Sequence, residues 1–207
     1  LRWVLLNLVI LPFRPRRSAR AYSSIWTAEG SPLKVQGLAL EQKLGAALHG
    51  DNIPVVLAMR YGKPTIRSGL HKLQEQKCER LIILPLFPQY ASSTTGSILE
   101  SVYHEAACDW NISFLHVVPF FYEHSEFIRA FAENGKPLLK KNPDHVIFSF
   151  HGLPERHLLR GDEYQYGCLE REECCSKISN KNRYCYRAQC FRTAELIACR
   201  LSLKREM

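Results

Sequence analysis

The chain has 207 residues, and 46% of them are apolar, which is enough to build a hydrophobic core. The formal net charge is +8, because 28 Lys and Arg stand against 20 Asp and Glu. Such an excess suits nucleic acid, anionic lipid or an acidic small molecule; since no nucleic-acid motif is present, the small molecule is favoured and nucleic acid is not expected. The apolar run at 1–13 contains Arg2 and Asn7 and is too short to span a membrane, so at most a peripheral membrane contact is expected.

Four apolar runs predict β-strands, and the segments between them predict helices. The strands are expected at 53–59, 81–87, 112–120 and 145–150, and the helices at 64–77, 96–108, 124–134 and 188–201. Strands that alternate with helices of this length indicate βαβ units and a parallel sheet, so the fold class is α/β. The polar stretch 134–144 is the best candidate for a domain boundary, although it also suits an ordinary connection.

The early segment RPRRSARAYSSIWTAEGSPL places Arg16 and Arg17 near Tyr22, Trp26 and Ser31. Arginines bind carboxylates in a fork geometry, and aromatic side chains supply flat apolar faces. Together they suit a large, flat ligand with acidic arms. A solvated basic helix packed on two aromatic residues explains the same composition equally well.

The stretch LPLFPQYASSTTGS ends a predicted strand with two prolines, Phe87 and Tyr90. Residues 92–97, the hydroxyl-rich turn, follow and lead into a predicted helix. Such a turn can bind a carboxylate or phosphate at the helix start, but a simple capped helix, with Ser97 or the preceding turn as cap, is favoured from the residues alone. No Walker lysine or GxGxxG motif is present, so a nucleotide site is not indicated.

A histidine stands where the run IFSF meets HGLPERHLLRG. His151 follows a predicted strand directly, and Gly152 and Pro154 break that strand. The carboxyl ends of strands border the ligand crevice in open α/β sheets. A neutral imidazole can accept a proton or bind a metal near neutral pH, so this position makes His151 a candidate for catalysis. Nothing in the context of His157 singles it out.

Eight cysteines are present, and Cys78, Cys108 and Cys199 are expected to be ordinary buried thiols. The other five form a cluster: Cys168, Cys174, Cys175, Cys185 and Cys190. Because no secretory signal is recognisable, a reducing context is expected, where clustered cysteines favour a metal over disulfides. The spacing differs from the paired CxxC of zinc ribbons and does not choose between zinc and an iron–sulfur cluster.

Four motifs occur in an order that resembles the ferrochelatases, enzymes that insert ferrous iron into a porphyrin in haem synthesis. They are IWTAEGSPL at 25–33, AMRYGKP at 58–64, LPLFPQYASSTTGS at 84–97 and SFHGLPERHLLRGDEY at 149–164. SFHGLP followed by RGD-x-Y is highly specific when LPLFPQY lies upstream. The resemblance covers nearly the whole chain and is to class II members of the family.

The resemblance implies two similar Rossmann-like halves with a cleft between them. Residues 1–141 would form the first domain without its opening strand, and 142–207 would begin the second, with a cysteine-rich insertion at 166–185. The chain is therefore expected to be truncated at both ends. The glutamate that faces the histidine in this family lies in the later half, so we expect the 207-residue chain alone to be poorly active.

The resemblance also assigns roles to individual residues. His151 would be the active-site residue, which binds Fe²⁺, accepts the pyrrole protons, or does both. The porphyrin site would be lined by Arg16 or Arg17, Tyr22, Ser31, Phe87, Tyr90 and Thr94. Apolar walls that include Trp26 would hold and distort the ring.

Most relatives pass almost directly from RGD-x-Y to the helix that begins at YRAQCFRTA, whereas this chain carries the extra segment 166–185. Some microbial ferrochelatases hold a [2Fe–2S] cluster in a cysteine-rich insertion at this place, so the resemblance favours iron–sulfur over zinc. The implied ligands are Cys168, Cys175, Cys185 and Cys190, with Cys174 as the alternative to Cys175.

The implied function is that of a lyase that inserts Fe²⁺ into a porphyrin, protoporphyrin IX first among the candidates, with release of two protons. The alternatives are a chelatase for another metal or tetrapyrrole and a non-catalytic iron–sulfur protein. A cytoplasmic location is expected.

Overall fold

The computed structural model describes residues 7, 11 and 19–203, so Arg16 and Arg17 lie outside the described residues. Packing divides the chain into two units, residues 1–77 and residues 78–207. The predicted division into Rossmann-like domains at 1–141 and 142–207 stays a prediction. Within the described part, no helix is long and apolar enough to cross a membrane.

Among its described residues, the first unit includes the helices α1 (Pro32–Ala47) and α2 (Ile66–Glu75) and a 3₁₀ turn (His49–Asp51). The predicted helix at 64–77 is confirmed as α2. Its N-terminus is capped because the Thr65 hydroxyl accepts a hydrogen bond from the Ser68 N–H at 3.1 Å. The predicted apolar stripe is confirmed at Ile66 and Leu70, which are buried.

The prediction of a strand at 53–59 is wrong, although the segment lies between the two helices. Gly37 of α1 is so close to Leu57 that a Cβ there would come within 3.0 Å of a leucine methyl, and a Cβ at Gly69 of α2 would lie 3.2 Å from the Ala58 Cβ. The Leu57 N–H donates to the Glu41 carboxylate at 3.1 Å, and not to a neighbouring strand. The apolar residues of this segment therefore pack against the two helices, and no described strand pairs with them.

The second unit contains a parallel sheet of two strands, β1 (Arg80–Ile83) and β2 (Phe114–Val117), with α3 (Ser97–Ala107) between them. The register runs from Arg80 opposite Phe114 to Ile83 opposite Val117. A helix that connects two parallel strands is a βαβ unit, so the predicted α/β class is confirmed. Both strands are shorter than predicted because prolines end the ladder: Pro85 follows β1, and Pro119 follows β2.

The strand predicted at 145–150 is not formed. A strand needs a neighbour that accepts its backbone hydrogen bonds, and no described strand pairs with these residues. Ile147 is consequently 87% exposed. His151 therefore follows a segment that lies outside the described sheet, and not a sheet strand.

The hydroxyl-rich turn is itself helical and leads directly into α3. Residues Ser92–Gly96 form a π-helical turn that continues into α3, and Gly96 and Ser97 both have right-handed helical backbone angles. Ser97 therefore lies within the helix and does not cap it, contrary to the expectation. The Thr94 hydroxyl donates instead to the Ala91 carbonyl at 3.2 Å, one turn back.

Three further helices complete the second unit: α4 (Ser125–Leu139), α5 (Glu155–Arg160) and α6 (Tyr186–Arg200). The helix predicted at 124–134 is confirmed as α4, but it continues past Pro137, so the start of the candidate boundary 134–144 is helical. Pro137 is tolerated close to the C-terminal end, where few backbone bonds remain to be broken. The helix predicted at 188–201 is confirmed as α6, which packs on α4.

A fully buried glutamine joins α6 to two loops. The Gln189 side-chain oxygen accepts a hydrogen bond from the Tyr90 N–H at 2.7 Å, and its side-chain nitrogen donates to the Arg183 carbonyl. One turn further, the Thr193 hydroxyl donates to the Tyr122 carbonyl at 2.9 Å. Because both ends of the Gln189 amide are paired, its burial fixes the two loops relative to α6.

Replacing Gln189 with Leu should lower the free energy of unfolding by roughly 2–4 kcal/mol, because the partly buried Tyr90 N–H and Arg183 carbonyl both lose their partner. Urea unfolding followed by circular dichroism measures the change. Gln36→Leu, at an exposed position on α1, is the control and should leave stability within about 0.5 kcal/mol of the wild type. An equally small effect of Gln189→Leu would contradict the proposed linking role.

Candidate functional site

The five clustered cysteines lie together in the second unit. The Cys174 and Cys175 sulfur atoms are 3.4 Å apart, and the Cys175 and Cys185 sulfur atoms are 3.9 Å apart. Cys185 is half-buried and the other four are buried, with Ala188, Tyr166 and Ile178 packed around them. Cys108 and Cys199, which were expected to be buried thiols, are exposed.

Burial and the proximity of other thiols raise the pKa of three of these cysteines. Burial, together with the nearby Cys185 and Cys174 thiols, raises the pKa of Cys168 to about 11. Burial also raises the pKa of Cys190 to about 11 and raises the pKa of Cys175 strongly. Since the thiolate is the metal ligand, a metal must displace protons from this site.

The start of the cysteine-rich segment is wrapped around one carboxylate. Asp162 accepts hydrogen bonds from the N–H groups of Tyr166, Gly167 and Cys168, at 2.7, 3.0 and 2.9 Å. Gly167 has φ +80°, a conformation that favours glycine. The bond from the Cys168 N–H is the largest of the causes that lower the pKa of Asp162 below its ordinary value.

A buried asparagine holds the middle of the same segment. The Asn182 side-chain nitrogen donates to the Cys174 carbonyl at 3.2 Å and to the Lys177 carbonyl at 2.8 Å. Its side-chain oxygen accepts from the Ser179 N–H at 2.6 Å. The protein's own hydrogen bonds therefore bring the cysteines together.

The five clustered cysteines suit some metal groups better than others. Among the described residues, no three His, Cys, Asp or Glu side chains are arranged to hold a single metal ion. Close pairs of buried thiols are nevertheless what each iron of a [2Fe–2S] cluster takes, and Cys185 is a neighbour of Cys168, Cys175 and Cys190. The chemistry of the donors thus fits an iron–sulfur cluster better than one isolated ion.

A cavity of about 810 Å³ borders the cysteines. Its other walls are the hydroxyl-rich turn, the chain after β2, and α5 with the loop that follows it. Tyr90, Cys168, Cys174 and Cys185 line it, so the structure brings one predicted porphyrin residue beside two predicted cluster ligands, Cys168 and Cys185, and the alternative ligand Cys174. Phe87, Thr94 and His151 are not in its lining.

His151 lies on an exposed stretch of backbone. Its Nδ1 is 2.8 Å from the Gly152 carbonyl oxygen, and because a carbonyl only accepts, Nδ1 carries a proton in this contact. In the neutral ring the lone pair is then on Nε2. This is the nitrogen that is free to accept a proton or bind a metal.

The other predicted porphyrin residues are spread over both units. Tyr22 and Trp26 are largely exposed, and Ser31 is half-buried beside the start of α1 without capping it. Phe87 is exposed, and Tyr90 packs edge-on against Tyr184 with ring centroids 5.3 Å apart. The arrangement of Tyr22 and Ser31 around a ligand stays a prediction.

Comparison with known proteins identifies the family. The family model described as Ferrochelatase matches residues 1–207. The chain belongs to the ferrochelatase family. A ferrochelatase of Coxiella burnetii (strain Dugway 5J108-111) is 46% identical over 207 residues, which cover 98% of this chain and 56% of the relative. A ferrochelatase of Legionella pneumophila (strain Corby) is 43% identical over 203 residues, covering 98% and 59%.

The chain thus spans a little over half the length of these ferrochelatases. The family resemblance expected from SFHGLP and LPLFPQY is confirmed. The individual site residues remain predictions, because family membership does not assign their roles.

Sequence reasoning missed three residues that line the cavity: His157, Arg160 and Lys181. It also missed the loop-forming role of Asp162. For Asp162 a signal was available, because RGD-x-Y followed by glycine places an acceptor before a tight turn. For the cavity residues no local signal exists, since they come from separate segments.

The hydrogen bonds to Asp162 predict how the free energy of unfolding changes as the pH falls. A carboxylate whose pKa is lowered in the folded state contributes stability that is present above the unfolded pKa of about 4 and is lost as the pH falls through the folded pKa. Asp162→Asn should therefore be less stable than the wild type at neutral pH and lose less stability in acid. Urea unfolding at several pH values between about 7 and 3 measures both slopes.

Asp144→Asn, at an exposed position after α4, is the matched control and should follow the wild-type slope. If Asp162→Asn has the wild-type slope as well, the three backbone hydrogen bonds do not stabilise the ionised carboxylate.

Proposed function

We propose that this chain serves the insertion of Fe²⁺ into a porphyrin, with protoporphyrin IX as substrate and two protons released. The family match over the whole chain supports the proposal most directly. The net charge of +8 suits a substrate with acidic side chains. Fe²⁺ is a substrate in this reaction and not a resident cofactor.

His151 is the proposed proton acceptor and metal-binding residue. Two pyrrole N–H protons must leave as the four ring nitrogens bind iron. The contact from Nδ1 to the Gly152 carbonyl directs the free lone pair to Nε2, and the exposed position lets an accepted proton pass to solvent. General-base catalysis needs this combination of an available lone pair and ready exchange.

The proposed porphyrin contacts are of two kinds: polar contacts to the acidic side chains and apolar contacts to the ring. Arg16 or Arg17 would bind the acidic side chains of the ring, together with the hydroxyls of Tyr22 and Ser31. Trp26, Phe87 and Tyr90 would contribute apolar surface and, with Thr94, complete the site. Binding energy from the edge of the ring would offset the cost of bending the macrocycle, which exposes the nitrogen lone pairs to the metal.

The test of the histidine is His151→Ala in a full-length protein of the size of the curated relatives. Iron insertion, followed by the change in porphyrin absorbance, should fall by at least about a hundredfold, as expected for loss of a general base. His116→Ala, at an exposed position on β2, is the control and should retain wild-type activity. A rate near the wild type for His151→Ala would remove the role assigned to this residue.

The same assay separates the alternatives. Wild-type protein should metallate protoporphyrin with Fe²⁺. Insertion of another metal but not iron would favour a different chelatase, and absence of insertion with any metal would favour a non-catalytic iron–sulfur protein.

We also propose that the cysteine cluster holds a [2Fe–2S] cluster, with Cys168, Cys175, Cys185 and Cys190 as ligands and Cys174 as the alternative to Cys175. The close contact between the Cys175 and Cys185 sulfur atoms, and the proximity of Cys185 to Cys168 and Cys190, support this proposal. Such a cluster supplies one-electron chemistry when bound. A cytoplasmic location belongs to the proposal, because thiolate ligands must stay reduced until they bind iron.

Anaerobic reconstitution with iron and sulfide tests the cluster proposal. The wild-type chain should gain visible absorption bands and two irons per chain, the content of the cluster. Cys185→Ser should lose both, while Cys108→Ser and Cys199→Ser, at exposed positions, should keep both. Unchanged iron content in Cys185→Ser would contradict the assignment, and a comparison of Cys174→Ser with Cys175→Ser identifies the fourth ligand.

A further inference from the structure

Two residues that line the cavity beside the cysteines each carry a buried polar atom without a hydrogen-bond partner. Among the described residues, the Thr95 hydroxyl and the His157 Nδ1 are the buried side-chain atoms that make no hydrogen bond. Thr95 is only 6% exposed, and both residues line the cavity. Buried polar groups are normally paired, so two such groups on the wall of one cavity indicate a polar ligand.

The charges around the cavity indicate the sign of that ligand. Arg160 and Lys181 contribute positive charge to its walls. Thr95 belongs to the hydroxyl-rich turn, the start of a helical run that continues through α3, and helix starts favour anions. Of the acidic residues in the lining, Asp162 is already occupied by three backbone N–H groups, and Glu163 is exposed.

The remaining walls are apolar. Leu99, Val118, Phe120 and Leu153 line the same cavity. A ligand that suits both kinds of wall has an oxyanion group for the buried donors and an apolar body for these side chains. The volume of about 810 Å³ is ample for a small organic acid.

We propose that this cavity binds an oxyanion group, a carboxylate or phosphate, through the Thr95 hydroxyl and the His157 imidazole, with Arg160 and Lys181 compensating its charge. The proposal does not rest on iron insertion. The anion can be a free small molecule or a carboxylate arm of a tetrapyrrole, since both present the same group to the donors.

The experiment measures binding to the chain by isothermal titration calorimetry, with inorganic phosphate, benzoate and a dicarboxylic porphyrin as probes. The dimethyl ester of the porphyrin, in the same detergent, removes the carboxylates. Binding of phosphate or benzoate identifies a site for free anions. Binding of the porphyrin diacid alone, and not its ester, supports a site for a porphyrin arm in this cavity when Thr95→Val weakens it, because Arg16 or Arg17 is also proposed to bind these carboxylates.

Two substitutions test the donors. Thr95→Val, which keeps the shape, should weaken binding at least about tenfold, as expected for loss of a hydrogen bond to a charged group, and Thr95→Ser should retain it. Ser93→Ala removes an exposed hydroxyl from the same turn and should bind as the wild type does. His157→Gln should also weaken binding, and the midpoint of thermal unfolding shows whether each variant is folded.

Three results would overturn the proposal. One is the failure of every probe to bind to the wild-type chain. Another is wild-type affinity in Thr95→Val. The third is loss of anion binding once the cysteines have been loaded with iron and sulfide, because the cavity would then belong to the cluster alone. None of these results bears on the His151 assay, so the two proposals fail separately.

Discussion

The buried side chain of Gln189 is the contact on which the arrangement of the second unit depends. Its oxygen holds the Tyr90 backbone and its nitrogen holds the Arg183 backbone, so one amide in the first turns of α6 positions a wall of the cavity and the end of the cysteine-rich segment. An amide buried without partners would be costly, and both loops must therefore be in place before the helix can pack. Thr193 adds a second link of the same kind, from α6 to the Tyr122 carbonyl.

Hydrogen bonds from the protein's own side chains hold the cysteine-rich segment in its conformation. Asp162 gathers the backbone at one end, and Asn182 joins the Cys174 and Lys177 carbonyls in the middle. A preorganised donor set loses less conformational entropy on binding, which favours the loaded state. The raised pKa of Cys168 works against binding, because its proton must leave first. The affinity for iron at this site is thus a balance between preorganisation and deprotonation.

Local periodicity and motifs identified most of the elements and the family, but not the pairing of strands or the cavity. The helix α2 and the β1–β2 unit follow from apolar spacing because their partners are near in sequence. The apolar runs at 53–59 and 145–150 indicate a tendency towards burial. Such a run forms a strand only when a neighbouring strand accepts its backbone hydrogen bonds. Thr95 and His157 belong to segments that only the tertiary fold brings to one cavity, so no spacing rule could have paired them.

The two proposed iron-binding groups differ in their surroundings. His151 is exposed, with its free lone pair on Nε2, so it can exchange protons with solvent and meet a metal directly. Cys168 and Cys190 are buried, and burial raises the pKa of each thiol to about 11, which favours the protonated form at neutral pH. Free Fe²⁺ therefore meets an available ligand at the histidine and mostly protonated thiols at these cysteines. If both proposed sites operate, the protons that must leave the thiols lower the apparent affinity of the cysteines for free Fe²⁺.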